Sequence, residues 1–370
     1  GNGGQGQSCC CFNAQSIPAG GGGGGGFQGG FGGGGGSAGT TGCSGNDKGA
    51  GGGGAGGTSF IGGVTGGTTA NGTQTGNGLV RVCYTTFTKG DFNSDGRPDL
   101  VYRNLANLAQ NKVWYMDGVT RTAEIAITPD AGSPAQKIRG VDDFDSFATP
   151  GSGPDLKNDL VFWNETTGAV EFWLMNGVGR PGSPVALTGG PTLATNWDLS
   201  ATADFNADGK PDLVWRNFTS QKIVIWTMNG TAKVGNVIPT PDQAVDSNWI
   251  IVAAADYNND NNTDFLWYNY TSGKIVTWYM NSSVARTSGQ FTTPNAAGDA
   301  NWKVVASSDY SRAYVPGTPP VGSPDIVWRN ETSGNQVVWH LDFNSTRVHG
   351  QFTNPAANTT PLDWVIVGPR

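Results

Sequence analysis

The chain has 370 residues, 14% of them charged, and a net charge of −7. It holds no basic cluster of the kind that tracks a phosphate backbone, which argues against nucleic acid as a partner. It holds no run of 18 apolar residues, so no helical membrane span is expected. It opens at Gly1 without a signal peptide, which reads as a mature, processed chain.

Residues 1–80 carry 35 of the 59 glycines and only two charged side chains, Asp47 and Lys48. Such a segment offers too little apolar surface to offset the entropy of ordering it, so a linker or stalk is the simplest expectation for a free monomer. Glycine-only stretches also let backbones approach closely or add as strands to a second subunit. The five cysteines are Cys9, Cys10, Cys11, Cys43 and Cys83. An odd number in a secreted chain points to disulfides that include a bridge between chains. Zinc is the competing reading, but the spacing fits no usual site and no histidine is near. Residues 1–80 are therefore expected to be an extended arm that joins copies of the chain, and residues 81–370 a separate body.

The body is built from a repeat. Asp91-Phe92-Asn93-Ser94-Asp95-Gly96-Arg97-Pro98-Asp99 returns as Asp204 to Asp212 and again as Asp256 to Asp264. Calcium is a hard cation that takes six to eight oxygens. The side chains of Asp91, Asn93, Asp95 and Asp99 with the backbone carbonyl of Arg97 supply them in the first loop. Asp204, Asn206, Asp208 and Asp212 with the carbonyl of Lys210 do so in the second. Asp256, Asn258, Asp260 and Asp264 with the carbonyl of Asn262 do so in the third. Gly96 and Gly209 permit the turn at position six, and Asn261 tolerates it.

Around each loop the pattern continues. Seven residues before Asp91, Asp204, Asp256 and Asp309 stand Tyr84, Trp197, Trp249 and Trp302. An apolar run ending in Tyr102, Phe162, Trp215, Trp267 or Trp328 follows. Then come a polar turn and a second apolar run with Trp114, Trp173, Trp226, Trp278 or Trp339. Met116, Met175, Met228 and Met280 lie two residues beyond the first four. The unit-opening aspartates Asp91, Asp143, Asp204, Asp256 and Asp309 are spaced 52, 61, 52 and 53 apart. Short β-branched and aromatic runs between Gly, Asn and Asp turns read as strands, and four strands per 50-odd residues is the size of a propeller blade. No sustained 3.6-residue pattern occurs, so helices should be few.

Units two and five carry inserts rich in Pro, Gly and Ser. Unit two keeps Asp143, Asp145 and Asp159 and adds Asp155, so a remodelled ion site is expected there. Unit five has Ser311 and no central acid, so none is expected.

The motif Asp-Phe-Asn-x-Asp-Gly-x-Pro-Asp-Leu-Val-Trp-Arg-Asn resembles the FG-GAP/VCBS repeats of calcium-loop propellers over about residues 81–370. The resemblance implies an all-β propeller with calcium in its blade loops, in a secreted or surface protein that binds or scaffolds. It identifies no ligand. Five units stand against six strands of the aromatic-led type, the first marked by Tyr84 and the last by Asp363–Val367. Five blades is the first expectation and six, with a composite blade, the second. The surplus strand closes the ring against Thr58–Val64 or Leu79–Thr86, or pairs with another subunit.

Three further features have a structural and a functional reading. The tryptophans suit inter-blade packing, with Trp163 and Tyr268 as the best candidates for exposed sugar-stacking rings. Sequons occur at Asn71, Asn164, Asn217, Asn229, Asn261, Asn269, Asn281, Asn330, Asn344 and Asn358, of which Asn164, Asn217, Asn269 and Asn330 share one turn position. His340 and His349 are the only histidines, and no nucleophile elbow, phosphate loop or His-based metal motif is present. No catalytic residue is expected. The first functional expectation is a structural subunit of an extracellular filament, sheath or matrix, a homopolymer joined by its arm. The second is a secreted or surface lectin or adhesin that binds carbohydrate.

Overall fold

The computed structural model describes residues 10–13, 81–84, 87–107, 110–130, 133–145, 155–244, 246–313, 322–358 and 362–370. The glycine stretches, Cys9, Cys43 and Asn71 lie outside them. The chain divides into a unit spanning Ser8–Thr85 and one whose body spans Thr86–Arg370. In the first, β1 (Cys10–Asn13) and β2 (Arg81–Tyr84) pair antiparallel, with Cys11 opposite Cys83 and Cys10 opposite Tyr84.

The second unit is five four-stranded antiparallel sheets. Blade one holds β3 (Leu100–Asn104), β4 (Asn111–Asp117) and β5 (Thr120–Ala126). Blade two holds β6 (Gln136–Asp142), β7 (Asp159–Asn164), β8 (Val170–Trp173) and β9 (Val185–Ala186). Blade three holds β10 (Trp197–Ala203), β11 (Asp212–Asn217), β12 (Ile223–Asn229) and β13 (Ala232–Val237). Blade four holds β14 (Trp249–Ala255), β15 (Asp264–Asn269), β16 (Lys274–Met280) and β17 (Arg286–Ala296). Blade five holds β18 (Trp302–Ser308), β19 (Asp325–Asn330), β20 (Gln336–Leu341) and β21 (Arg347–Phe352). The last strand, β22 (Trp364–Gly368), pairs with β3 and completes blade one. The inner strands β6, β10, β14, β18 and β22 neighbour one another in that order and return to β6, so the ring closes at five.

This closure corrects two expectations. The strand at Tyr84 is not the inner strand of blade one; β2 pairs with β1 instead. The surplus strand does close the ring, but its partner is β3, with Trp364 opposite Asn104 and Ile366 opposite Tyr102. Trp364 thus takes the place in blade one that Trp197, Trp249 and Trp302 take in blades three to five.

The strand order explains the sequence texture. A second strand such as Asp212–Asn217 is buried along its whole length because its sheet has neighbours on both faces, so it reads as a continuous apolar run. Outer strands such as Arg347–Phe352 are exposed and polar. Five apolar clusters fill the molecule, one between each pair of adjacent blades. Val101, Val113 and Ile138 meet Phe162 and Trp173 between blades one and two. Tyr102, Trp114 and Ile366 meet Tyr310 and Val327 between blades one and five.

Each inner strand carries one extra residue. The register skips between Ile138 and Gly140, Leu199 and Ala201, Ile251 and Ala253, Val304 and Ala306, and Ile366 and Gly368. The residue after the skip is Gly or Ala in all five. At Gly140 the reason is direct: a Cβ there would stand 2.3 Å from Thr202 Cγ2 of the next blade. Gly140→Val should therefore destabilise the propeller by about 1–3 kcal/mol through overpacking at the axis. Gly182→Ala, with nothing within 4 Å, should be near neutral. Denaturant unfolding of the two variants checks this, and equal midpoints would overturn the close-approach argument.

Candidate metal loops

In blades two to five the loop joins the inner strand to the second strand of its blade; in blade one, whose inner strand is β22, the loop leads directly into β3. In the first, Asp91 Oδ2 accepts the Gly96 amide at 2.7 Å and Oδ1 accepts that of Asp95 at 3.2 Å. Asn93 Oδ1 accepts the Asp95 amide at 3.1 Å, and Asp95 Oδ1 accepts that of Arg97 at 2.9 Å. The same bonds recur among Asp204, Asn206, Asp208, Gly209 and Lys210. They recur again among Asp256, Asn258, Asp260, Asn261 and Asn262. Gly96, Gly209 and Asn261 adopt φ of 84°, 79° and 64°, as position six requires. Position four is left-handed as well, at Ser94, Ala207 and Asn259, with φ of 59°, 57° and 61°. Ser94 and Ala207 gave no sign of this in the sequence. Two left-handed residues coil the loop so that its side-chain oxygens at positions one, three and five turn onto its own amides.

Position nine does more than offer an oxygen. Asp99, Asp159, Asp212, Asp264 and Asp325 are fully buried. Oδ1 of each accepts an amide from the third strand region of its blade: Met116 at 2.8 Å, Met175 at 2.7 Å, Met228 at 3.0 Å, Met280 at 2.8 Å and Leu341 at 3.0 Å. In the first four, Oδ2 accepts the amide of loop position two, from Phe92, Phe144, Phe205 or Tyr257.

Units two and five depart in opposite ways. In unit two, oxygens of Asp143, Asp145 and Asp159 all lie within 4.8 Å of one another. Asp145 Oδ1 is buried and has no hydrogen-bond partner. Asp155 stands apart, exposed and paired with Lys157 at 3.5 Å. In unit five the loop becomes a 3-10 helix, Tyr310–Ala313. Asp325 Oδ2 there accepts from Ser311 Oγ at 2.9 Å and lies 2.9 Å from His340 Nδ1. Ser311 Oγ lies 3.1 Å from that same nitrogen. A hydrolytic triad needs the hydroxyl and the carboxylate on opposite ring nitrogens. Here both meet Nδ1, so the group braces the blade.

The donor set fits a hard cation. The set is all oxygen, and in unit two three carboxylates converge and one oxygen of Asp145 is unsatisfied. The residues that would hold it are those of the three loops and, in unit two, Asp143, Asp145 and Asp159. A bound divalent ion there would neutralise their mutual repulsion.

A model of the FG-GAP-like repeat matches residues 155–215 and 204–267, spanning unit two into unit four. Residues 155–267 carry FG-GAP-like repeats, within a five-bladed propeller. No curated protein matches the sequence. Among solved structures, the chain is similar to Kuenenia stuttgartiensis hydrazine synthase at 13% identity, over 52% of this chain and 46% of that one, with a TM-score of 0.29. It is similar to an Agrocybe aegerita lectin that recognises non-reducing terminal N-acetylglucosamine, at 9% identity over 78% and 90%, with a TM-score of 0.35. It is also similar to a chain of a nidogen/laminin complex at 11% identity over 70% and 94%, with a TM-score of 0.34. The chain spans less than half of the first of these, and none of the three carries an activity or a ligand over to it.

The blades also sort the tryptophans and sequons. Each blade stacks a second-strand ring on a third-strand tryptophan: Tyr102–Trp114, Phe162–Trp173, Trp215–Trp226, Trp267–Trp278 and Trp328–Trp339, with centroids 4.4–5.0 Å apart. A cation lies over each of these tryptophans, from Arg121, Arg180, Lys233, Arg286 or Arg347. Trp163 and Tyr268, expected as exposed rings, are buried, at 3% and 2% exposure. They pack edge-on against Trp215 and Trp328 of the next blade, which removes them as sugar platforms. Asn164, Asn217, Asn269 and Asn330 each accept two turn amides through Oδ1, as does Asn104, which has no sequon. Turn geometry accounts for that position. Asn358 is buried against Lys112 Nζ, whereas Asn229, Asn261, Asn281 and Asn344 are exposed.

Burial sets the electrostatics of these FG-GAP-like loops. It pushes the carboxyls of Asp212 and Asp264 up to about 7 and that of Asp159 up to about 8, against donated amide bonds that pull them down. Unfolded, each titrates near 3.8. Between those values the folded state holds more protons than the unfolded one, so metal-free stability is greatest on the acid side and falls as pH rises toward 7–8. Melting in excess chelator should drop steadily from pH 5 to pH 8, and calcium should flatten that slope. A chelated protein with a level melting temperature across this range would contradict the loop electrostatics.

Proposed function

We propose that this protein is a non-enzymatic extracellular structural subunit: a calcium-rigidified propeller body with a glycine- and cysteine-rich arm that joins it to copies of itself. The observation that carries the calcium reading is the Asp143, Asp145 and Asp159 cluster with its unsatisfied Asp145 oxygen, beside three oxygen-only loops. A cation in these sites would hold blade turns and free no surface for catalysis. Among the described residues no helix is long and apolar enough to cross a membrane, which leaves β-structured spans unaddressed. The arm reading rests on composition and on cysteine number. Cys9, Cys10, Cys11, Cys43 and Cys83 are odd in number, so pairing within one chain leaves at least one for a bridge between subunits.

Calcium titration by calorimetry of the chelator-stripped full chain tests the body. Wild type should bind at the three loops and at unit two, and Asp145→Asn should remove one binding equivalent while keeping the fold. Unchanged stoichiometry in that variant would sink the unit-two site. Non-reducing gels and electron microscopy test the arm. The full chain should run as disulfide-linked multimers and form ordered particles, and deletion of residues 1–80 should leave monomeric propellers. A monomer band without reductant would end the cross-linked-subunit reading.

One observation favours the lectin reading as a second. A cavity of about 300 Å³ on blade four is lined by Trp249, Trp267, Trp278, Arg286 and Phe291, an aromatic wall with a cation at its edge. Trp249 and Phe291 stand 6.3 Å apart, and Phe291 is 48% exposed. Sugars stack on such surfaces. A glycan screen on the full chain, with Trp249→Ala as control, checks it: binding lost in the variant supports the reading, and a silent screen removes it.

A further inference from the structure

The axial channel holds a cationic pocket that neither the loops nor the blade cores use. Its loop end is plugged. Lys89 Nζ bonds the carbonyl of Thr202 and pairs with Asp142 at 3.4 Å, while its own carbonyl accepts from Ser308 Oγ at 2.9 Å. Ser307 N donates to the Pro369 carbonyl at 3.0 Å. Behind this plug lies a cavity of about 200 Å³ bounded by Arg139, Asp198, Ser200, Arg216, Arg370 and apolar side chains of β14 and β18.

The extra residue of each inner strand governs the lining. In blades three to five and in β22 it is Ser200, Val252, Val305 or Val367; in blade two it is Arg139. A guanidinium therefore enters a ring of small and apolar positions. Arg216 and Arg370 join it, so three guanidinium side chains face one carboxylate. Asp198 Oδ1 forms an ion pair with Arg139 Nη2 at 3.1 Å but accepts no hydrogen bond. Arg216 is 1% exposed, and its Nη2 donates to Gln221 Oε1. Arg370 Nε donates to the Val367 carbonyl at 3.1 Å. Arg216 Nε and Nη1 and Arg139 Nε are buried without a hydrogen-bond partner. Burial lowers the Arg216 value, and lowers that of Arg370 to about 10; a guanidinium is charged at neutral pH in any case. Valines and isoleucines of β14 and β18 offer no acceptor, and a buried cation with unmet N–H groups is costly.

We infer that the axial cavity binds a small oxyanion, a carboxylate or a sulfate- or phosphate-like group, held by Arg139, Arg216 and Arg370. Several acceptor oxygens on one anion meet N–H groups that converge from different strands, which a single-atom halide does not.

Calorimetric titration of the calcium-loaded full chain with sodium sulfate and with sodium acetate, against sodium chloride at matched ionic strength, tests this. Saturable one-to-one binding of either oxyanion, absent with chloride, is expected. Sulfate alone would assign a tetrahedral group and acetate alone a carboxylate. Arg216→Met should weaken binding about tenfold or more, the range for a lost charge-assisted hydrogen bond. Its melting temperature in chloride should not fall, because the variant sheds an unpaired buried charge. If Arg216→Met does not fold, Asp198→Asn decides: removal of the competing carboxylate should tighten sulfate binding, and unchanged or weaker binding overturns the proposal. It is equally overturned by wild type that gives no saturable oxyanion signal, or by Arg216→Met that keeps wild-type affinity.

Discussion

The interaction on which the rest depends is a buried carboxylate that accepts a backbone amide from the third-strand region of its blade and, in four blades of five, a second amide from its loop. Asp99, Asp159, Asp212, Asp264 and Asp325 each open a second strand and reach the start of the turn that follows the third. In four blades the donating amide belongs to a methionine, and the ladder slips beside it at Met116, Met228 and Met280. A slipped ladder leaves an amide without its strand partner, and the aspartate supplies the missing acceptor. The second oxygen then holds the loop. A full carboxylate in that position is disfavoured by burial, so each blade must bring donors or cations to it.

Two solutions to this one problem appear in the same chain. Four units meet the second oxygen with the amide of loop position two and carry further acids in the same loop. Unit five instead brings Ser311 Oγ and His340 Nδ1, and its loop has become a short helix. In unit five these two side chains satisfy the oxygen of Asp325 that a loop amide satisfies in the other four. His340 reads in sequence as one more strand residue, and only the fold shows that it stands at the place of a loop.

Much of the blade was legible because it repeats. Trp215 and Trp226, or Trp267 and Trp278, mark second and third strands whose pairing the structure shows directly. The loops were legible because oxygen-bearing residues at alternate positions have few other uses. Ring closure was not, since the partnership of Trp364 with Asn104 spans most of the chain and nothing local to either residue specifies it. The burial of Trp163 and Tyr268 was missed for a related reason: they replace an arginine at a position that faces the next blade, and inter-blade contacts leave no trace in the spacing within a unit. The tight acid cluster of unit two was also obscured. The insert moves Asp155 away while Asp145, an acid where the other loops carry asparagine, turns inward.

Five copies of one unit provide an internal control for separating scaffold from function. A feature present in every blade, such as the turn asparagine, the stacked ring pair or the cation over the third-strand tryptophan, is explained by what any blade needs. Asn164, Asn217, Asn269 and Asn330 are explained as turn residues by that test, because Asn104 makes the same turn without a sequon. What survives is what breaks the repeat. Asp145 adds an acid where three loops do without, and Arg139 adds a charge where four inner strands place serine or valine. Packing demands neither substitution, and each is costly unless an ion of opposite sign answers it. A regular propeller would have no reason to keep them, so the departures from symmetry, one acidic at the loop end of blade two and one basic on the axis, are where ligands are to be sought.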